Sequence, residues 1–128
     1  MTTETDRTTR IRHLNDLARL SPQRANAAWL MTRGVNALIT GDETISDAKP
    51  EDAPRRMAML VQTITTYSDF SEDNDPHGEH DFGVFTFLDE KLFFKVDYYH
   101  SERDVLAPDP ANIELYRRVL TVMLAHEY

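Results

Sequence analysis

The sequence predicts an α+β domain, a small antiparallel sheet built on a C-terminal hairpin and packed against about three helices. Three observations carry this reading. Met57, Leu60, Val61, Ile64 and Tyr67 recur at helical spacing. Two aromatic-rich runs, residues 82–88 and 91–99, have strand composition and are joined through Asp89-Glu90. The final stretch, residues 110–127, is apolar around most of a helix circumference and begins with Asp109-Pro110, a good cap and first helical position.

In chain order, residues 1–9 are rich in threonine and charge, without an apolar run, and read as a flexible lead to a single domain over 10–128. In residues 9–20, Ile11, Leu14, Leu17 and Ala18 mark a helix that Thr8 or Thr9 can cap and Ser21-Pro22 ends. Residues 27–32, centred on Trp29-Leu30-Met31, are a short apolar run that could be a strand or the beginning of a helix, and length favours the strand. Gly34 permits a turn, after which Val35, Ala37, Leu38 and Ile39 add an apolar turn or short helix. Residues 41–50 form a polar surface loop, and Pro54 suits the first turn of the helix that follows. Residues 69–81 carry six carboxylates and no Lys or Arg, with Pro76 and Gly78 as breakers, and must be a loop.

Pairing the two aromatic strands across a short turn sets Phe87 opposite Leu92, Phe85 opposite Phe94, Gly83 opposite Val96 and Asp81 opposite Tyr98, with the apolar members on one core face. The other face, with Phe82, Val84, Thr86, Phe93, Lys95, Asp97 and Tyr99, is mixed and expected to be half covered. Residues 101–108 are irregular. The last helix, with Ile113, Leu115, Tyr116, Val119, Leu120, Val122, Met123 and Leu124, is expected to pack on the hairpin.

Composition excludes several function classes. Without cysteine there is no disulfide framework, thiolate metal site or cysteine nucleophile. The formal charge of −8 argues against direct binding to nucleic acid, which rewards clustered Lys and Arg. No apolar stretch is long enough to cross a bilayer and no secretory leader opens the chain, so a cytoplasmic location is expected.

The residues with chemistry to offer are concentrated before and after the hairpin. Asp73, Asp75, Glu79, His80 and Asp81 lie close together in sequence, and Asp97, Tyr98 and His100 end the partner strand. The expected pairing brings Asp97 and His100 within reach of His80 and Glu79. Such oxygen and imidazole ligands suit Mg²⁺, Mn²⁺ or Ca²⁺, and a carboxylate beside a histidine suits acid–base catalysis. The spacing fits no calcium loop, however, because Val84 stands where the bidentate Glu belongs. There is also no His-Glu-x-x-His, phosphate loop or Gly-x-Ser-x-Gly. Acidic turns of this kind commonly use their Asp and Asn side chains to bond nearby backbone amides.

The run Asn74-Asp75-Pro76-His77-Gly78-Glu79-His80-Asp81-Phe82-Gly83, with Phe94-Lys95-Val96-Asp97-Tyr98-Tyr99 and the final Arg118–Ala125 and Glu127-Tyr128, resembles the bacterial domain-of-unknown-function family numbered 3768. The likeness runs from Ile11 onward and is densest in the last part of the chain. The family pattern has Tyr where this chain has His77, which makes His77 a poor candidate for essential chemistry. The resemblance implies a small cytoplasmic protein often encoded on mobile elements, a setting that supplies inhibitors of host defence. It implies no mechanism.

The reading that follows is a binding module that engages a protein partner through Asp73, Asp75, Glu79, His80, Asp81 and Tyr98, with no cofactor and no assigned metal site. The alternative is a metal-assisted hydrolase or nuclease using Glu79, His80, Asp81 and Asp97. A homo-oligomer closing over the half-apolar hairpin face is a third role. Trp29 reads as a core or edge anchor, Lys95 with Asp97 as a structural ion pair, and His13 and His126 as helix-surface residues.

Overall fold

The computed structural model describes residues 4–41, 49–100, 110–112 and 116–128. Helix α1, Glu4–Leu20, buries Ile11, Leu14 and Ala18, the stripe expected from their spacing. It begins earlier than the sequence suggests. Residues 4–9, expected in a flexible lead, are helical, and Thr8 and Thr9 lie inside the helix rather than capping it. That stretch holds neither Gly nor Pro, and its threonines are only mildly unfavourable to a helix.

A 3₁₀ turn, Pro22–Ala25, leads into strand β1, Ala27–Met31. Helix α2, Arg33–Thr40, follows directly, with Thr32 as its cap and Gly41 in the left-handed region at its end (φ 86°). Gly34 therefore opens a helix instead of making a turn. Its lack of a side chain matters for packing, since a Cβ there would lie 2.6 Å from Leu124 Cδ1 and 2.8 Å from Glu127 Oε2. A 3₁₀ turn, Pro50–Asp52, precedes helix α3, Ala53–Thr65, with Pro54 in the first turn as expected. Leu60 and Ile64 are fully buried, but Val61 is 37% exposed, so the apolar stripe is narrower than its spacing indicates. Arg56 is buried beside them and donates to the Ile39 and Lys49 carbonyls at 2.7 and 2.6 Å, which ties α2 to α3.

Strands β2, Phe82–Phe87, and β3, Glu90–His100, form the expected hairpin in a tighter register. Phe85 faces Leu92, Gly83 faces Phe94 and Phe87 faces Glu90. Asp81 lies beside Val96, whose N–H donates to its carbonyl at 2.8 Å, and not beside Tyr98. The cause is the turn. Leu88 and Asp89 both have positive φ, 50° and 65°, making a two-residue primed turn that matches strand twist. A two-residue shift keeps every side chain on its face, so Phe87, Leu92, Phe94 and Val96 remain in the core.

The largest correction is at the C-terminus. Tyr116–Leu124 is strand β4, followed by a 3₁₀ turn, Ala125–Glu127, and not a terminal helix. Within it Arg118, Leu120 and Val122 alternate inward, while the β-branched Val119 and Thr121 suit a pleated surface. Asp109, the expected cap, and residues 113–115 of the expected helix lie outside the described residues, as do 42–48 and 101–108 of the expected loops.

The sheet has the order β1-β4-β3-β2 and is mixed. β4 is antiparallel to β3 and parallel to β1, whereas a purely antiparallel sheet was expected. Leu120, Val122, Leu124, Leu92, Phe94, Val96 and Phe87 pack against Val35, Leu38, Leu60 and Ile64 of α2 and α3. Each such side chain contributes on the order of 1.5–3 kcal/mol by leaving water. The opposite face holds half-buried Phe82, Val84, Phe93, Lys95 and Asp97, with the Tyr128 ring edge-on to Phe82 and Phe93. No helix among the described residues is long and apolar enough to cross a membrane.

Candidate functional site

The acidic loop between α3 and β2 is held by side chains of α1. Arg12, Asn15, Asp16 and Arg19 recur at i, i+3, i+4 and i+7, a polar stripe beside the apolar one. Arg19 donates to the Ile64 and Tyr67 carbonyls at 3.1 and 2.9 Å, placing a cation at the C-terminal end of α3. Its other nitrogen donates to Asp16 Oδ1 at 2.7 Å. Arg12 reaches the Gly78 carbonyl at 3.3 Å, and Asn15 Nδ2 donates to the Glu79 carbonyl at 3.0 Å and to Tyr98 Oη at 2.8 Å.

The loop also braces itself. Asp75 is 8% exposed, and its Oδ1 accepts the N–H groups of Glu79 and His80 at 3.0 and 3.1 Å. Asn74 and Ser71 exchange bonds, and Asn74 Nδ2 donates to the Asp69 carbonyl at 3.0 Å. Asp75, expected to meet a partner, is instead the residue that folds the turn. Asp69, Glu72 and Asp73 stay on the exposed rim, and none forms an ion pair among the described residues.

His80, at φ 56°, is flanked by groups from α1 and from its own loop. Its ring stacks on Phe70 with centroids 3.7 Å apart and planes within 3°. Nδ1 lies 2.7 Å from Asp16 Oδ1 and Nε2 3.7 Å from Asp75 Oδ2. Since a carboxylate only accepts, the Asp16 contact assigns the proton to Nδ1. The pair opens on a cleft of about 400 Å³ bordered by Arg19, Tyr67, Ser68 and Phe70.

The remaining expected site residues do not join this cluster. Asp97 is turned to the opposite sheet face, where it pairs with Lys95 at 3.2 Å, as a structural ion pair should. The Tyr116 ring lies edge-on to His100, and the contacts described for His80 include neither Asp97 nor His100. Burial pushes the carboxyls of Glu79 and Asp81 up; the Asp81 charge adds to this at Glu79, and those of Asp75 and Asp97 add at Asp81. Tyr98 is raised more strongly, again by burial. Among the described residues, no group of three or more His, Asp or Glu side chains could hold a metal ion. His77, His13 and His126 are exposed, and Trp29 is an anchor whose Nε1 donates to the Ala18 carbonyl at 2.9 Å.

Sequence reasoning missed Asn15, Asp16, Arg19 and Arg118. Arg118 has no exposed surface. Its Nε donates to Asn15 Oδ1 at 2.7 Å, it also donates to the Pro110 carbonyl, and it lies 5.1 Å from the Tyr98 ring centroid. The polar spacing within α1 was the available signal for the first three.

A family model described as a protein of unknown function, DUF3768, matches residues 31–127. Comparison with curated proteins and with solved structures finds no match. The matched stretch starts at Met31 rather than near Ile11, so it includes the whole loop and hairpin but leaves out the helix that braces them. On that match, which covers well over half of its length, the chain belongs to the DUF3768 family of proteins of unknown function.

Proposed function

We propose that this protein is a small acidic binding module that works in the cytoplasm. Its rim at residues 69–73 docks on a basic surface of a protein partner, as an inhibitor of host defence encoded on a mobile element would do. One observation carries this reading. The loop is fixed by Asp75, Asn74 and the α1 side chains, so its outward carboxylates are presented without an ordering cost on docking. A formal charge of −8 adds long-range attraction to a cationic partner and lets the module compete with nucleic acid for such a surface.

The test is capture from host lysate with the full chain and with an Asp69→Lys/Glu72→Lys/Asp73→Lys variant, which spares the bracing residues. The expected result is a captured protein that is lost with the variant and released by salt. Unchanged capture removes the rim from consideration.

The His80–Asp16 pair at the cleft is the observation that favours the alternative, a hydrolase or nuclease. Its metal-assisted form, through Glu79, His80, Asp81 and Asp97, requires ion binding. Calorimetry with Mg²⁺, Mn²⁺, Ca²⁺ and Zn²⁺ that gives no heat would dispose of it.

A further inference from the structure

The two edges of the sheet differ. At the β2 edge, Val84 N–H points away from β3 and donates to the Tyr67 hydroxyl at 3.1 Å, so the segment that follows α3 partly covers that strand. At the β1 edge the bonds from Arg118 N–H to the Asn26 carbonyl and from Thr32 N–H to the Val122 carbonyl fix which groups face β4. They turn the backbone of Ala28 and Leu30 inward and that of Ala27, Trp29 and Met31 outward. Among the described residues, these outward N–H and C=O groups have no hydrogen-bond partner.

An open edge invites another strand, and proteins ordinarily blunt it with charge, proline or a bulge. Residues 26–32 contain no charged residue, Pro or Gly. The side chains around the edge are also unusually exposed. Leu30 is 56% exposed, and Leu20 is 64% exposed at the end of α1 that Trp29 Nε1 ties to β1. Among the large apolar side chains described, only Tyr128 is more exposed.

We propose that this edge binds a second copy of the chain, β1 against β1 in antiparallel sense about a two-fold axis through Trp29. That register uses the donors and acceptors of all three outward residues from both copies. It sets Ala28 opposite the second copy's Leu30 and Ala27 opposite the second copy's Met31, a small side chain against a large one in every pair except Trp29 with itself. The strand is complementary to its own reverse. Being uncharged, it meets its copy without repulsion, and the acidic loop lies beside β2 at the opposite edge of the sheet. Two four-stranded sheets thereby become one continuous sheet, with both acidic rims left free.

Light scattering and sedimentation of the full chain test this, with Leu30→Lys as the disrupting variant, since Leu30 lies outside the core. The expected result is a dimer whose dissociation constant rises by about tenfold or more in Leu30→Lys, while circular dichroism is unchanged. A second measurement uses the absence of native cysteine. Mixed Ala28→Cys and Leu30→Cys chains should form an oxidised dimer faster than either variant alone, because opposed strand residues fall within disulfide reach. A wild-type monomer at all soluble concentrations overturns the proposal, including the case in which the edge takes an unrelated strand. A dimer that ignores Leu30→Lys and does not cross-link in the mixture overturns it as well.

Discussion

Arg118 has no exposed surface, and no ion pair accompanies it among the described residues. Burial lowers its pKa to about 10, against a smaller upward pull from Tyr98, so it is still a cation at neutral pH. Removing such a charge from water costs several kcal/mol unless hydrogen bonds offset it. Here Asn15 supplies one acceptor, beside the Pro110 carbonyl, while its amide donates to the Glu79 carbonyl and Tyr98 Oη, so one side chain joins α1, the loop, β3 and β4. Asn15→Ala should therefore destabilise the protein by about 2–4 kcal/mol, well above the loss of one ordinary hydrogen bond. Urea denaturation followed by circular dichroism measures this, and a loss below about 1 kcal/mol would show that the network does not depend on Asn15. Nothing in the one-dimensional pattern distinguishes Arg118 from its neighbour Arg117. Its burial follows from alternation in a strand, which a helical reading of the same residues conceals.

At the scale of elements, α1, α3 and the faces of the hairpin were legible because each rests on local periodicity, whereas for β1 only the shortness of its apolar run favoured a strand over the start of a helix. β4 was not, because a densely apolar run satisfies helix and strand patterns alike and its partners, β1 and β3, are distant in sequence. The hairpin register failed for a similar reason: Leu88 with positive φ is not a residue that announces a primed turn. Candidate site residues were legible as an acidic loop, but which carboxylates would be structural depended on α1. The turn after β4 shows a comparable long-range bond. Glu127 accepts from Thr32 Oγ1 at 2.6 Å, Leu124 N–H at 2.8 Å and Gly34 N–H at 3.0 Å, placing a carboxylate at the start of α2. Burial pushes its carboxyl up, but these three bonds outweigh it and hold the group below its ordinary value. Glu127→Ala should lower stability by about 1–2 kcal/mol at pH 7, as the loss of a helix cap does. Because the folded-state pKa is depressed, that difference should be present above the ordinary value of 4.5 and shrink as pH falls through the lowered one. Thermal melts of both proteins across this range check it, and a constant difference would exclude an ionic role for Glu127.

Over the whole molecule the acids oppose one another unequally. Near the start of β2, Glu79 is raised by burial and by the charges of Asp81 and Asp75, and Asp81 by burial and by those of Asp75 and Asp97, while a basic surface to neutralise them is missing from the loop itself. An acid with a raised folded-state pKa holds more protons folded than unfolded, so its ionisation works against folding. That penalty begins above the ordinary values of 3.8 for Asp81 and 4.5 for Glu79 and is complete once pH exceeds the raised ones. Asp81→Asn removes one of these charges and keeps the side chain's size. The variant should be more stable than the wild type at pH 7 by up to about 1 kcal/mol, with the gap closing as pH falls through the raised value towards the ordinary 3.8. Added salt should narrow it at pH 7 by screening the more exposed neighbours. Urea titrations at several pH values and two salt concentrations would measure this. A variant less stable than the wild type at pH 7 would mean that the Asp81 carboxylate is used by the fold, and that the negative charge at this end of the sheet is structural rather than held ready for a partner.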